Sequence, residues 1–155
     1  MRTTLCGHEI LIDKSDAWRI EKYKYWVSKR GPRYFYFYRS IKVKGKWTSL
    51  CLHREIMATP STMECDHRSG NTLDLRRKNL RNCNHSQNGM SRRKPGNNTS
   101  GYKGVSWHKK THKWRTQIGI TGRRVTVGYF NSSEVAYSAY CHAVHQHFGT
   151  FGRTA

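Results

Sequence analysis

Apolar and polar positions alternate in short runs through most of this chain, and only near its end do they settle into a helical rhythm. In the first half, Ile10–Ile12 reads as a short strand, and Ser15 or Asp16 is placed to cap a short helix running toward Tyr23. Tyr25–Ser28, Tyr34–Arg39 and Lys46–Leu52 are aromatic or β-branched runs. Arg30-Gly31-Pro32 and Lys44-Gly45-Lys46 separate them, the punctuation of an antiparallel meander. Leu52–Ala58 supplies one or two helical turns before Pro60. In the second half, Tyr102–Trp107, Trp114–Ile120 and Arg124–Phe130 read as three strands, joined by turns at Lys109–Lys113 and Thr121-Gly122-Arg123. A helix over Ser133–Phe148 follows, capped by Asn131 or Ser132. Its Val135, Ala136, Ala139, Tyr140, Ala143, Val144 and His147 recur at steps of three and four, leaving one face for the sheet. Between the halves lies Ser91–Ser100, polar and turn-forming, with Pro95 and Gly96. The pattern predicts an α+β chain with one domain over residues 1–92, a linker over 93–100 and a second domain over 101–155.

Charge changes the picture more than length does. The 155 residues carry 29 Lys and Arg against 9 Asp and Glu, a formal net charge of +20. Both halves share it: residues 1–95 hold 21 basic and 8 acidic side chains, residues 96–155 hold 8 and 1. Such an excess predicts a polyanionic partner, nucleic acid first among them. No run approaches the ~18 apolar residues of a membrane span, and no apolar leader follows Met1. The expected setting is therefore the cytoplasm, without a membrane partner. Apolar residues make up only 35%, but the aromatics (five Trp, nine Tyr, five Phe) suffice for small cores. The five cysteines are scattered without a CxxC, which fits a reducing compartment rather than a disulfide framework. Cys65-x-His67 and Cys83-x-His85 could be drawn as a zinc site, but the spacing is not that of structural zinc. Cys65 and Cys83 read instead as small buried residues of a strand pair.

The chemistry concentrates between Cys65 and Met90. Acidic residues are scarce, so Asp66 beside His67 stands out: a carboxylate and an imidazole together can set a hard divalent cation next to a base. Asn79 and Asn88 come later in the segment, and a second oxygen ligand after a turn and a short helix would close a compact site. The plainer readings are an Asp66–arginine pair, a hydrogen-bonded strand histidine, and asparagines acting as helix caps. His85, three residues before Asn88, is a rival ligand, and His53 could contact phosphate or lie buried.

With Asp66-His67, Gly70-Asn71, Asp74, Arg77, Asn79-Leu80-Arg81 and Gln87-Asn88, the segment resembles the HNH homing endonucleases of phages and introns. Leu52-His53-Arg54 matches the opening of the helix before that motif, and Ile10, Asp13, Asp16 and Trp26 look like the family's N-terminal region. Leu75 stands where the family usually has Asn. The resemblance implies a ββα-metal fold in which Asp66 and Asn88 hold one divalent ion per chain, Mg²⁺ or Mn²⁺. His67 would be the general base, and Asn79 would hold the loop that aims it. On the plain reading of the residues, Asp74 and Arg77 form an internal ion pair bracing the loop. If the chain is phage-encoded, the compartment would be the host cytoplasm.

Ser100-Gly101-Tyr102-Lys103-Gly104-Val105, Trp107, Lys113-Trp114, Gly128-Tyr129-Phe130 and the alanine-bearing helix from Glu134 are similar to the Apetala-2-type DNA-binding domain. That resemblance implies a three-stranded antiparallel sheet packed on one helix, with one sheet face offered to double-stranded DNA. Lys103, Trp107, Lys109, Arg115, Gln117, Arg123, Arg124 and Thr126 are the expected contacts. Whether Trp107 and Trp114 are core or interface depends on strand register. Together the readings describe a metal-dependent DNA endonuclease that nicks as a monomer or weak dimer on DNA. The alternative is a DNA-binding regulator that does not cut.

Overall fold

A computed structural model of the protein describes residues 1–92 and 94–154. Arg93, at the head of the expected linker, and Ala155 lie outside the described residues. The chain divides into two units, one over Met1–Asn84 and one from His85 onward. The division falls upstream of the polar Ser91–Ser100 stretch.

The N-terminal unit is built from three small antiparallel sheets. Strands β1 (Arg2–Leu5) and β2 (His8–Leu11) form a hairpin, which leads through a 3-10 turn at Lys14–Asp16 into α1 (Trp18–Lys22). The meander follows as β3 (Trp26–Arg30), β4 (Tyr34–Val43) and β5 (Lys46–Cys51), in spatial order β3-β4-β5. Then come α2 (Leu52–Ile56) and the pair β6 (Glu64–His67) and β7 (Leu80–Cys83). Ile10, Ile12, Phe37, Leu52, Ile56, Leu75 and Leu80 form the core. Each such side chain contributes about 1.5–3 kcal/mol by leaving water. Leu75 thus serves packing where the HNH pattern has a polar residue. Neither Ser15 nor Asp16 caps α1, whose N-cap is Ala17 with no side-chain bond. Asp16 is instead buried, gripped by Arg77.

Glu55 is the polar counterpart of that core. Its carboxylate takes two bonds from Arg39, at 2.8 and 2.9 Å, one from Arg19 and one from the Tyr25 hydroxyl. Burial pushes the Glu55 carboxyl up, but those bonds and the arginine charges outweigh it, so it ionises below its ordinary range.

The second unit begins with α3 (His85–Ser91) and continues as β8 (Val105–His108), β9 (Lys113–Ile120), β10 (Arg123–Phe130) and α4 (Ser133–Phe148). The sheet order is β10-β9-β8, and α4 packs on it through Ala136, Tyr140, Ala143 and Val144. Val135 and His147, expected on the apolar face, are exposed. Ser132 is the cap: its Oγ accepts from the Val135 amide at 3.2 Å. Met90 of α3 joins Ile118, Tyr140, Ala143 and Val144 in the core. At Gly104 the backbone adopts φ +75° and a Cβ would run into the Tyr140 ring, so a side chain fails there on both counts. The whole is an α+β chain of small antiparallel sheets with a long C-terminal helix. Among the described residues no helix is long and apolar enough to cross a membrane.

Candidate functional site

In the N-terminal unit the β6–β7 ribbon carries the Asp-His pair. Its register sets Asp66 opposite Arg81 and His67 opposite Leu80. Arg81 Nε and Nη2 both donate to Asp66 Oδ2, at 2.9 and 2.8 Å. The plain reading of Asp66 as an arginine partner therefore describes what it does here.

His67 is buried, and its Nε2 has neither solvent nor a hydrogen-bond partner. Its ring lies 5.0 Å from that of His53, centroid to centroid, and 6.4 Å from Tyr36. His53 Nδ1 is 3.0 Å from Cys51 Sγ. Burial holds His67 down to about 4, against the pull of Asp66 and Asp74 toward the charged form. Burial, with repulsion from His67 and Arg54, takes His53 to about 3. At neutral pH both rings are uncharged and each keeps a lone pair. His53 is thus a buried group beside His67, a juxtaposition that the α2 packing creates and spacing alone could not reveal.

Asn79 laces the loop between the two strands. Its Oδ1 accepts from the Ser69 amide at 2.9 Å, and its Nδ2 donates to the Asp74 carbonyl at 2.8 Å. The Arg68 amide donates to its carbonyl at 2.7 Å, one residue past His67. These bonds tie the loop over residues 68–74 to Asn79. The brace differs from expectation: Asp74 pairs with Arg76 at 2.7 and 2.8 Å, and Arg77 pairs with Asp16. Two charges that sequence proximity coupled are each matched elsewhere, because the loop runs alongside β2, bonded to Leu11 on both sides.

Asn88 and His85 sit on α3, in the second unit, whereas Asp66 and His67 belong to the first. No cluster of three His, Cys, Asp or Glu suited to a metal occurs among the described residues. Within its own unit Asp66 stands as one carboxylate whose Oδ2 already serves a guanidinium. That donor set does not by itself fit a divalent ion. Cys65 and Cys83 are thiols on the β6–β7 ribbon, as small strand residues.

The second unit offers a different surface. Ile118, Thr116 and Trp114 of β9 face α4, and Thr116 Oγ1 donates to the Ala136 carbonyl at 2.6 Å. Pleating sends Lys113, Arg115, Gln117 and Gly119 to the other face. Cross-strand partners share a face, so Ser106 and His108 of β8 join them, and so do Arg124, Thr126 and Tyr129 of β10. A bulge between Thr126 and Gly128 lets Tyr129 lie on the same face as Thr126 despite the odd spacing. Gln117 Nε2 donates to Thr126 Oγ1 at 3.2 Å, and the His108 and Tyr129 rings meet at 5.1 Å. Arg115 lies between Ser106 and Tyr129, its Nε buried without a partner.

Four expected contacts therefore share this face: Arg115, Gln117, Arg124 and Thr126. Four do not. Trp107 pairs with Trp114 and Arg123 with Ile120, so both fall on the helix side of the register, with Trp107 45% exposed at its margin. Lys109 lies in the exposed turn after β8. Lys103 is in the turn before β8 and points inward, donating to the carbonyls of Met90, Arg92 and Arg153 at 2.5, 2.6 and 3.2 Å. Burial, helped by Arg153, lowers its pKa to about 8. Counting odd and even positions cannot find such a reversal, which comes from the carbonyls that converge on the ammonium. Ser106, His108 and Tyr129 escaped the sequence reading, although register with Arg115 brings them in.

Protein 3.8 of Escherichia phage T7 is 35% identical over 65 residues, 42% of this chain and 54% of that protein. The chain thus spans about half the length of that curated relative. No solved structure matches. Residues 100–149, the stretch that holds the three-stranded sheet and its helix, match the AP2 domain.

Proposed function

We propose that this protein binds double-stranded DNA in a sequence-dependent way, through the face of the β8–β9–β10 sheet turned away from α4. The observation that carries the reading is the shared face of Arg115, Gln117, Arg124 and Thr126 in an AP2 domain. Arg and Gln present paired donors and acceptors that match base edges in the major groove, while lysines around them hold phosphate. Selection from randomised duplexes should return a preferred site. On that site Arg115→Ala and Gln117→Ala should each lose about ten- to a hundredfold in affinity, on the scale of one bidentate base contact. Equal affinity for selected and scrambled duplexes would reduce the domain to a non-specific cationic surface.

A second reading, phosphodiester cleavage, is favoured by one arrangement in the N-terminal unit. His67 follows Asp66 on a strand, its loop is laced by Asn79, and its buried Nε2 has no hydrogen-bond partner. A neutral imidazole is the form that accepts a proton, and this ring would do so once a water reaches it and the burial that holds its pKa down to about 4 is relieved. In this reading the protein is an endonuclease that its AP2 domain positions, and its dependence on Mg²⁺ or Mn²⁺ is tested in the same assay. Supercoiled plasmid should be nicked by the wild-type protein with Mg²⁺ but not with a chelator, and not by His67→Ala. Nicking by His67→Ala would remove that histidine as base; intact plasmid in every lane, with DNA retarded, would leave the binding function alone.

A further inference from the structure

Between Glu21 and Glu55 the chain has no acidic residue but ten lysines and arginines. The sheet β3-β4-β5 is folded from this stretch. β3 pairs only with Tyr34–Tyr38, so the far half of β4 and its partner β5 extend as a two-stranded ribbon. Lys44 and Gly45 close it with φ +48° and +80°, the two left-handed residues of a tight I′ turn. Around that turn Lys42, Lys44 and Lys46 are exposed and have no ion-pair partner among the described residues. Trp47, directly opposite Lys42, is 73% exposed. An indole so open contributes nothing to the core, and on a solvated ribbon it costs solubility. The same face continues through the stacked Trp26 and Tyr38 toward Tyr36, whose ring approaches His53 and His67.

We propose that the β4–β5 ribbon is a second DNA-contacting element, seated in the major groove of duplex DNA. Trp47 lies against the groove wall, and Lys42, Lys44 and Lys46 meet the flanking phosphates. A two-stranded ribbon has the width that groove admits. The lysines supply the charge, and the indole supplies apolar contact that the lysines cannot. The proposal rests on the DNA-binding reading above but assigns a separate surface in the N-terminal unit.

The test measures the full chain on a labelled random-sequence duplex across a salt series. Lys42→Gln/Lys44→Asn/Lys46→Gln keeps a turn-compatible Asn-Gly and should lower the slope of log K against log salt by about 2–3, at about 0.9 per phosphate. Trp47→Ala should weaken binding several-fold with the slope unchanged. Circular dichroism melts matching wild type would exclude misfolding, and Lys44→Asn alone, with an expected slope loss of about 1, serves if the triple variant is unstable. A wild-type slope in the triple variant overturns the proposal, as does a Trp47 effect confined to single-stranded DNA. Arg115→Ala measured alongside on the selected site keeps the two readings apart. Loss there with an unchanged ribbon variant sinks only the ribbon, whereas a full chain that binds no DNA sinks both.

Discussion

His53 and His67 give the N-terminal unit a built-in acid sensitivity. Folded, they resist protonation down to about 3 and 4; unfolded, they take protons near 6.5. Between those values the unfolded chain binds more protons, so stability is full above pH ~6.5 and falls as the solution becomes more acid. The melting temperature should drop on the order of 10 °C between pH 7 and 5, and His67→Phe should flatten that slope. An equally steep slope in the variant would mean that other groups carry it. At this scale the sequence showed the residue types well: Asp66, His67 and Asn79 stand together around one ribbon and its loop. Their partners were hidden. Arg81 reaches Asp66 only because of the strand register, and His53 meets His67 only because α2 packs beneath β6.

Elements were legible where a hydrophobic period ran long. The bounds of α4, Ser133–Phe148, follow from the spacing of apolar positions, and the meander strands stand where their runs are, although β4 continues past Arg39 to Val43. β1 is too short and polar to announce itself, and β8 begins later than its apolar run because Ser100 and Lys103 tie the preceding residues into turns. Faces were the weakest part, since period two assigns a residue to a side only after register and bulges are known. What locks elements together is equally invisible in a pattern. Glu55 on α2 gathers Arg19, Tyr25 and Arg39 from α1, the segment before β3, and β4. Glu55→Ala should destabilise the N-terminal unit by about 3 kcal/mol, because it leaves buried donors without an acceptor. Glu55→Gln, which retains acceptor and shape, should cost less. Urea midpoints measured at constant m would show the order, and equal costs would assign the effect to charge instead of hydrogen bonding.

Across the whole molecule the two signs of charge are used differently. Every ion pair among the described residues employs an arginine: Arg2, Arg19, Arg39, Arg76, Arg77 and Arg81 meet Glu9, Asp16, Glu55, Asp74 and Asp66. The planar fork of a guanidinium suits such fixed geometry, whereas the lysine ammonium is a mobile point charge. All of these carboxylates but Glu9 are thereby spent inside, and the net charge of +20 remains for a polyanion. Composition disclosed the excess, but not this division of labour. The thirteen lysines make up most of that excess, and none joins an ion pair among the described residues. A mild amine-acylating reagent that spares the inward-turned Lys103 should therefore remove most of the net charge while leaving the arginine salt bridges whole, separating affinity for a polyanion from integrity of the fold by chemistry alone.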